Sequence, residues 1–313
     1  MRALAEMTSI RAPIPLAALV AATLLAISAL FAPGSAEAAI SNCSVSSSGI
    51  TFPAYNTVTK AQVDSTGTIS VTCTGSGLED NLSLNLTGGD SGSCSPRRMR
   101  NGTNLLGYQI FQEASRVSNF CDGASRLNIS IDFGSTTNTL TRTYTMYGRV
   151  SGSQTPVWGS YSDQLSLALK RGGNTLANGT VAVNGSVSPT CSVSAGTMSF
   201  GTYSAASASL GSASVSVNCS NGAPYDISLG GGQNLNGTTR RMARSGGGSF
   251  LSYQLFSNSL RTLAWGDGTA LGARVNGTGS GNAQSRTVYG RIPAGQSVTP
   301  GSYSDSVVVT VNY

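Results

Sequence analysis

The last thirteen residues, 301–313, read GSYSDSVVVTVNY, and Val307, Val309, Val311 and Tyr313 fall on alternate positions. A period of two puts these side chains on one face of an extended strand, the apolar row toward a core. An earlier segment, residues 159–170 (GSYSDQLSLALK), opens the same way and alternates in the same phase. It is followed by a Gly-Gly turn signal and by a stretch in which Val181, Val183 and Val187 stay in step across Gly185. A flexible linker is the competing reading of residues 175–188, given their Gly and Asn. A polar linker has no need of alternating valines, so the pattern predicts a final strand for the first unit. No such successor follows the second copy. The pattern therefore predicts one unit that supplies all its own strands and a second that comes up one short.

The rest of the chain repeats in the same two units, about residues 39–170 and 189–313. The first opens with Cys43, Phe52-Pro-Ala-Tyr55 and Ile69-Ser-Val-Thr-Cys73; the second with Cys191, Phe200-Gly-Thr-Tyr203 and Val215-Ser-Val-Asn-Cys219. Leu82-Ser-Leu-Asn-Leu86 answers Tyr225-Asp-Ile-Ser-Leu229, and Arg97-Arg98-Met99 answers Arg240-Arg241-Met242. Tyr108-Gln-Ile-Phe111 matches Tyr253-Gln-Leu-Phe256, and Tyr147-Gly148-Arg149 matches Tyr289-Gly290-Arg291. Seven landmarks in one order are a tandem duplication. Short alternating strands between Gly, Asn and Ser clusters, with no helical period, predict an all-β chain. Its expected form is two tandem immunoglobulin-like antiparallel β-sandwich domains, 39–187 and 188–313, the C-terminal one incomplete.

Composition narrows the compartment. Residues 1–38 read as a secretory signal: Arg2 and Arg11 flank its start, residues 15–31 are apolar, and Ala36-Glu37-Ala38 offers small residues for cleavage before Ala39. An uncleaved anchor is the alternative. Six cysteines behind such a segment point to disulfides in an oxidising compartment. Six allow fifteen connectivities, and the repeat chooses among them. Cys43 pairs with Cys73 and Cys191 with Cys219, at separations of 30 and 28 residues, leaving Cys94 for Cys121. The net charge of +6 is carried by scattered arginines, which favours solubility over nucleic-acid binding.

The order Cys…FGTY…VNC…RRM…YQLF…WGDG…YGRI…PGSYSD…VVVTVNY resembles the spore coat protein U domain, the subunit module of archaic (Csu-type) chaperone–usher pili. The match covers nearly all of the second unit. In the first, FPAY stands for FGTY, Trp158-Gly159 for Pro300-Gly301, and WGDG is absent. A divergent first domain ahead of a regular one resembles the two-domain tip subunit of such pili. The resemblance implies an incomplete C-terminal pilin fold, completed by strand addition. The groove beside Val307, Val309, Val311 and Tyr313 would take a strand from a periplasmic chaperone, then a donor strand from the next subunit. Export would run through an outer-membrane usher to the cell surface, and the Tyr313 carboxylate would anchor a basic chaperone residue. Cleavage before Ala39 leaves four residues ahead of Cys43, too few to donate a strand at about 3.3 Å per residue. A subunit that receives but cannot give sits at the tip.

A tip would touch a host or abiotic surface with the pole of its first domain. Leu78, Val117 and Phe120, in residues 74–80 and 112–125, are the apolar candidates for that contact, with the turn 171–174 beside them. Phe120 neighbours Cys121, so packing beneath the loop is its alternative. Val157-Trp158 is expected on the opposite pole, against the second domain. An enzyme is not expected: the chain has no histidine, and its thiols are committed to disulfides. Its glycine triplets lack the lysine of a phosphate loop. No cofactor or metal is expected, and Trp265-Gly-Asp-Gly268 reads as a turn with an aromatic plug. A coat or pilus-shaft subunit and a secreted lectin remain as alternative functions.

Overall fold

The computed structural model describes residues 39–313; the expected export signal lies outside the described residues. In the first domain the strands are β1 (Ala39–Ser47), β2 (Ile50–Thr51), β3 (Val63–Ser76), β4 (Leu78–Leu86), β5 (Arg97–Asn101), β6 (Asn104–Phe111), β7 (Leu127–Asp132), β8 (Asn138–Val150), β9 (Gly159–Arg171) and β10 (Asn174–Val187). They form one sheet folded over on itself, β1-β3-β8-β6-β5 on one side and β7-β4-β9-β10-β2 on the other. Pairing is antiparallel except between β10 and the short β2. Every second residue of β9 faces the enclosed core, where Leu165, Leu167 and Leu169 are fully buried.

The turn from β9 to β10 explains why the chain can double back so tightly. Gly172 and Gly173 have φ of +54° and +96°, the left-handed values that a two-residue hairpin demands at both central positions. β10 then pairs with β9 along its whole length, from Asn174 opposite Arg171 to Val187 opposite Gly159. Val181, Val183 and Val187 point inward and are at most 2 % exposed. Burying each stabilises the domain by about 1.5–3 kcal/mol. On its far side β10 meets β2, and the Phe52 and Tyr55 amides donate to the Asn184 and Ser186 carbonyls, both at 2.8 Å.

The second domain contains β11 (Cys191–Ala195), β12 (Ser209–Cys219), β13 (Pro224–Leu229), β14 (Arg240–Arg244), β15 (Phe250–Phe256), β16 (Val275–Thr278), β17 (Ala283–Ile292), β18 (Tyr303–Ser304) and β19 (Val309–Asn312). Its sheets are β11-β12-β17-β15-β14-β18 and β16-β13-β19, around a core of its own. The alternation of residues 301–313 predicts one unbroken strand, as β9 is. The structure breaks it between Ser304 and Val309, and β19 is hydrogen-bonded only to β13. A strand with a neighbour on one side alone leaves a row of amides and carbonyls unpaired, and its ends loosen.

Three residues separate Val187 from Cys191, and the domains meet around them. The Trp158 amide and its Nε1–H donate to the Asn221 and Gly222 carbonyls at 3.1 and 3.2 Å. Thr57 donates its hydroxyl to that of Ser220 at 2.9 Å, both fully buried. Val157-Trp158 thus faces the second domain. Disulfides join Cys43 to Cys73, Cys94 to Cys121 and Cys191 to Cys219. The first and third cross-link neighbouring strands at the same place in each domain.

Candidate functional site

The duplication lets each position of the second domain be compared with a twin. Val309 pairs with Leu229 as Leu167 pairs with Leu86. Leu167 is sealed, whereas Val307, Val309 and Val311 are each half-buried and Tyr313 is 61 % exposed. Phe52, Tyr55 and Tyr161 are buried; their twins Phe200, Tyr203 and Tyr303 are half-buried. The difference is concentrated where β10 lies in the first domain. No strand of the described residues fills that place in the second.

A trough runs there instead. One stretch of about 440 Å³ is lined by Ala195, Met198, Val215, Leu255, Val307 and Val309. A second, of about 740 Å³, continues it past Tyr203, Gln296 and Pro300. The two share Met198, Phe200, Met242 and Tyr303, so they form one channel between the end of β11 and the chain leading into β19. The backbone along its rim is unpaired as well. The twins of the Phe52 and Tyr55 amides are those of Phe200 and Tyr203, which have no hydrogen-bond partner among the described residues. An apolar floor with free amides along its wall can receive an extended chain by hydrogen bonding and side-chain burial together.

The floor is held by a polar framework common to both domains. Tyr108 donates its hydroxyl to Asp163 at 2.6 Å, and Tyr253 donates to Asp305 at 2.6 Å. Burial first, and the neighbouring carboxylate second, push both phenols far above their ordinary range. Asp305 also accepts from the Gln233 amide at 2.8 Å, as Asp163 accepts from that of Asp90 at 2.9 Å. Arg97 and Arg240 are buried beside these pairs, where desolvation lowers their pKa. Arg97 donates to the Thr87 and Phe120 carbonyls, and Arg240 to those of Gly230 and Leu229. These contacts fix the chain ahead of β5 and β14. They are structural, and the two aspartates stand in separate domains. Cys94, Cys121 and Asp122 also come together, but the two sulfurs are joined and leave no thiolate for a metal.

The three apolar candidates of the first domain do not form one surface. Leu78 is 57 % exposed at the pole away from the second domain, next to the β9–β10 turn. The Gly172 amide donates to the Asn81 carbonyl there, and Arg171 pairs with the buried Glu79 at 2.7 Å. Val117 is 79 % exposed, in a loop that Arg116 ties to the Gly148 carbonyl near the other end of β8. Gly148 lies ten residues along β8 from Asn138, so about 30 Å separates this loop from the pole. Phe120 is corrected outright: it is not exposed at all. Its amide donates to Ile110 and its carbonyl accepts from Arg97, so its ring plugs the sandwich. The signal was in the repeat. Phe120 follows Phe111 by nine residues, as the buried Trp265 follows Phe256, and the Trp265 amide donates to Leu255 in the same way. Of the trough-lining residues, Phe200 and Met242 were legible only as landmarks of the duplication, and Met198 carried no signal.

A profile of the Spore Coat Protein U domain matches the chain twice, over residues 29–168 and 177–310. The chain belongs to the spore coat protein U domain family. Protein U of Myxococcus xanthus is 35 % identical to it over 144 residues, 42 % of this chain and 79 % of that protein. Among solved structures, it is similar to the CsuC–CsuE chaperone–tip adhesion subunit pre-assembly complex from archaic chaperone–usher Csu pili of Acinetobacter baumannii. There the identity is 18 %, the TM-score 0.48, and the coverage 74 % of this chain and 84 % of that one. The CupB6 tip adhesin of Pseudomonas aeruginosa aligns at 12 % identity and a TM-score of 0.35, covering 87 % and 94 %. The two family matches give two spore coat U domains in series.

Proposed function

We propose that this protein is the tip subunit of an archaic chaperone–usher pilus. Its second domain joins the fibre by accepting a strand, and its first mediates attachment. One observation carries the reading: the trough beside Val307, Val309 and Val311 lies open where β10 fills the twin domain. A periplasmic chaperone strand occupies the trough first, and a donor strand of the next subunit replaces it after passage through an outer-membrane usher. The first domain is completed by Val181, Val183 and Val187 of its own β10, so it needs no partner and is free to face a host or abiotic surface. Its contact pole is the one at Leu78 and the Arg171 turn. The mature chain leaves the periplasm for the cell surface, and no catalysis is assigned to it.

The test is co-expression with the cognate chaperone and mass spectrometry of the purified complex. A one-to-one complex whose mature chain begins at Ala39 is the expected result. A chain secreted as a stable monomer without any chaperone would end the proposal. A second reading, a structural coat subunit, is favoured by the 35 % identity to Protein U. It predicts a mature N-terminus long enough to give a strand onward, which the same mass measurement detects.

A further inference from the structure

We propose that the outer face of the second domain carries a carboxylate-binding site, formed by Arg261 and Arg291 and edged by Leu210, Leu260 and Leu263. Its partner is a polypeptide surface that presents an aspartate or glutamate among apolar side chains. The site stands apart from the trough. A Cβ on Gly290 would run into Met198 and Phe200 on the inner side of β17, whereas Tyr289 and Arg291 alternate with that glycine and face outward. What binds here is therefore independent of what the trough accepts.

The first domain shows the same pair of cations with its anion in place. Arg149 donates from Nε and a terminal nitrogen to the two oxygens of Asp64, at 2.7 and 2.9 Å. Asp64 stands directly across from it in the β3–β8 ladder, and Arg116 brings a second cation to 3.6 Å from the same carboxylate. Arg116 is held over the Tyr147 ring at 5.7 Å, donates to the Gly148 carbonyl and has φ of +55°. Its loop carries another carboxylate, Glu113, which accepts from the Val117 and Ser118 amides. Two cations and two carboxylates neutralise this patch from within.

The second domain keeps both cations and replaces both anions. Arg261 lies over the Tyr289 ring at 5.6 Å, donates to the Gly290 carbonyl at 3.0 Å and has φ of +57°. Arg291 takes the place of Arg149, but the residue across the ladder from it is Leu210. Asn258 stands for Glu113 and caps the Thr262 and Leu263 amides in its stead. Neither arginine pairs with a carboxylate among the described residues. Arg291 gives a terminal nitrogen to Gln254 at 2.7 Å. Its Nε, the atom whose twin grips Asp64, is buried without a hydrogen-bond partner. Residues 188–313 contain only Asp226, Asp267 and Asp305 as acids, and these are engaged with Arg274, Thr269 and Tyr253. The anion that completes the pair therefore comes from outside the domain, and a carboxylate matches the fork of Arg291 as Asp64 matches that of Arg149. The surroundings favour a polypeptide over an anionic sugar polymer. Leu210, Leu260 and Leu263 are 53, 81 and 61 % exposed where the first domain has Asp64, Ser115 and Ser118, and exposed leucines reward an apolar neighbour.

The test follows the arginine side-chain signals of the mature chain by NMR, with isotope-labelled arginine. The probes are N-acetyl-Leu-Asp-Leu-amide, the same peptide with asparagine for aspartate, and a polyuronate oligosaccharide. The aspartyl peptide is expected to shift the Arg261 and Arg291 signals, and the asparaginyl peptide to bind at least about five-fold more weakly. Raising the salt to about 0.5 M should shrink that difference. Leu210→Asp should abolish the response by supplying the carboxylate from within, and the twin position already holds an aspartate in the same ladder. The comparison of peptides on the unaltered chain stands even where that variant fails to fold. Equal affinities for the two peptides, or undiminished binding by Leu210→Asp, would overturn the site. A response to the polyuronate with none to the aspartyl peptide would overturn the polypeptide partner. Neither result bears on the trough, so the strand-accepting role is judged separately.

Discussion

Leu167 and Val309 occupy the same place in the two domains, each opposite a buried leucine of the neighbouring strand, and only Leu167 is sealed from solvent. The cause lies one strand further on, where β10 covers Leu167 and nothing in the described residues covers Val309. Charge introduced at the two places should therefore act differently. Val309→Asp with Val311→Asp puts carboxylates on an open trough, so the chain should fold and lose chaperone capture. Val183→Asp buries an unpaired carboxylate in a closed core, a severe penalty that should unfold the first domain. Pull-down with the chaperone and thermal melting separate the outcomes. Undiminished capture by the double variant would remove the trough from assembly.

Phe120→Ser should act on stability rather than on adhesion directly. Large-to-small changes at a fully buried phenylalanine cost about 3–5 kcal/mol. The melting transition of the first domain should fall by many degrees, while Val117→Ser, at an exposed loop, should leave it within about 0.5 kcal/mol of the parent. Calorimetry with adhesion measured at low temperature checks both. A Phe120→Ser protein of unchanged melting temperature would contradict the buried assignment.

Much of this architecture is legible in the residues because side-chain period and duplication report the same thing. Val181, Val183 and Val187 keep the phase of Leu165 and Leu167, and the Gly172-Gly173 pair between them admits one kind of turn. What escapes is whatever depends on a neighbour being present or absent. The alternation of Val307 to Tyr313 matches that of Leu165 to Leu169, yet one run forms a thirteen-residue strand and the other breaks. Phe120 misleads because a lone aromatic among Ser and Asn has the composition of a surface loop, and only its spacing from Phe111 places it inside. The Tyr253–Asp305 bond joins residues 52 apart, a separation no local pattern encodes.

Removing the disulfide peculiar to the first domain should have a local effect. Cys94 and Cys121 are 27 residues apart and tie the chain between β4 and β5 to the segment that carries Phe120. Cross-linking a loop of that length stabilises by about 3 kcal/mol in the chain-entropy model. Cys94→Ala with Cys121→Ala should lower the stability of the first domain by about that amount and leave chaperone capture by the second unchanged. Urea unfolding followed by proteolysis resolves the two domains.

Alkaline pH should loosen both domains. An unfolded tyrosine ionises near pH 10. Tyr108 and Tyr253 are held neutral well above that by burial and by their aspartates. Their raised values stabilise the folded state fully below about pH 10, and that stability is lost as pH rises toward the folded value. Above pH 10 each such group costs about 1.4 kcal/mol per pH unit, because the unfolded chain releases its proton first. In the first domain burial also raises Tyr55, Tyr144 and Tyr161. Urea midpoints measured from pH 8 to 11 should therefore fall above pH 10 for both domains. Tyr108→Phe should flatten the fall of the first domain by about one tyrosine's share while lowering its stability at pH 8, since Asp163 loses the hydroxyl donor and keeps only backbone amides. Midpoints that stay level from pH 10 to 11 would show that these phenols are not held as the geometry requires.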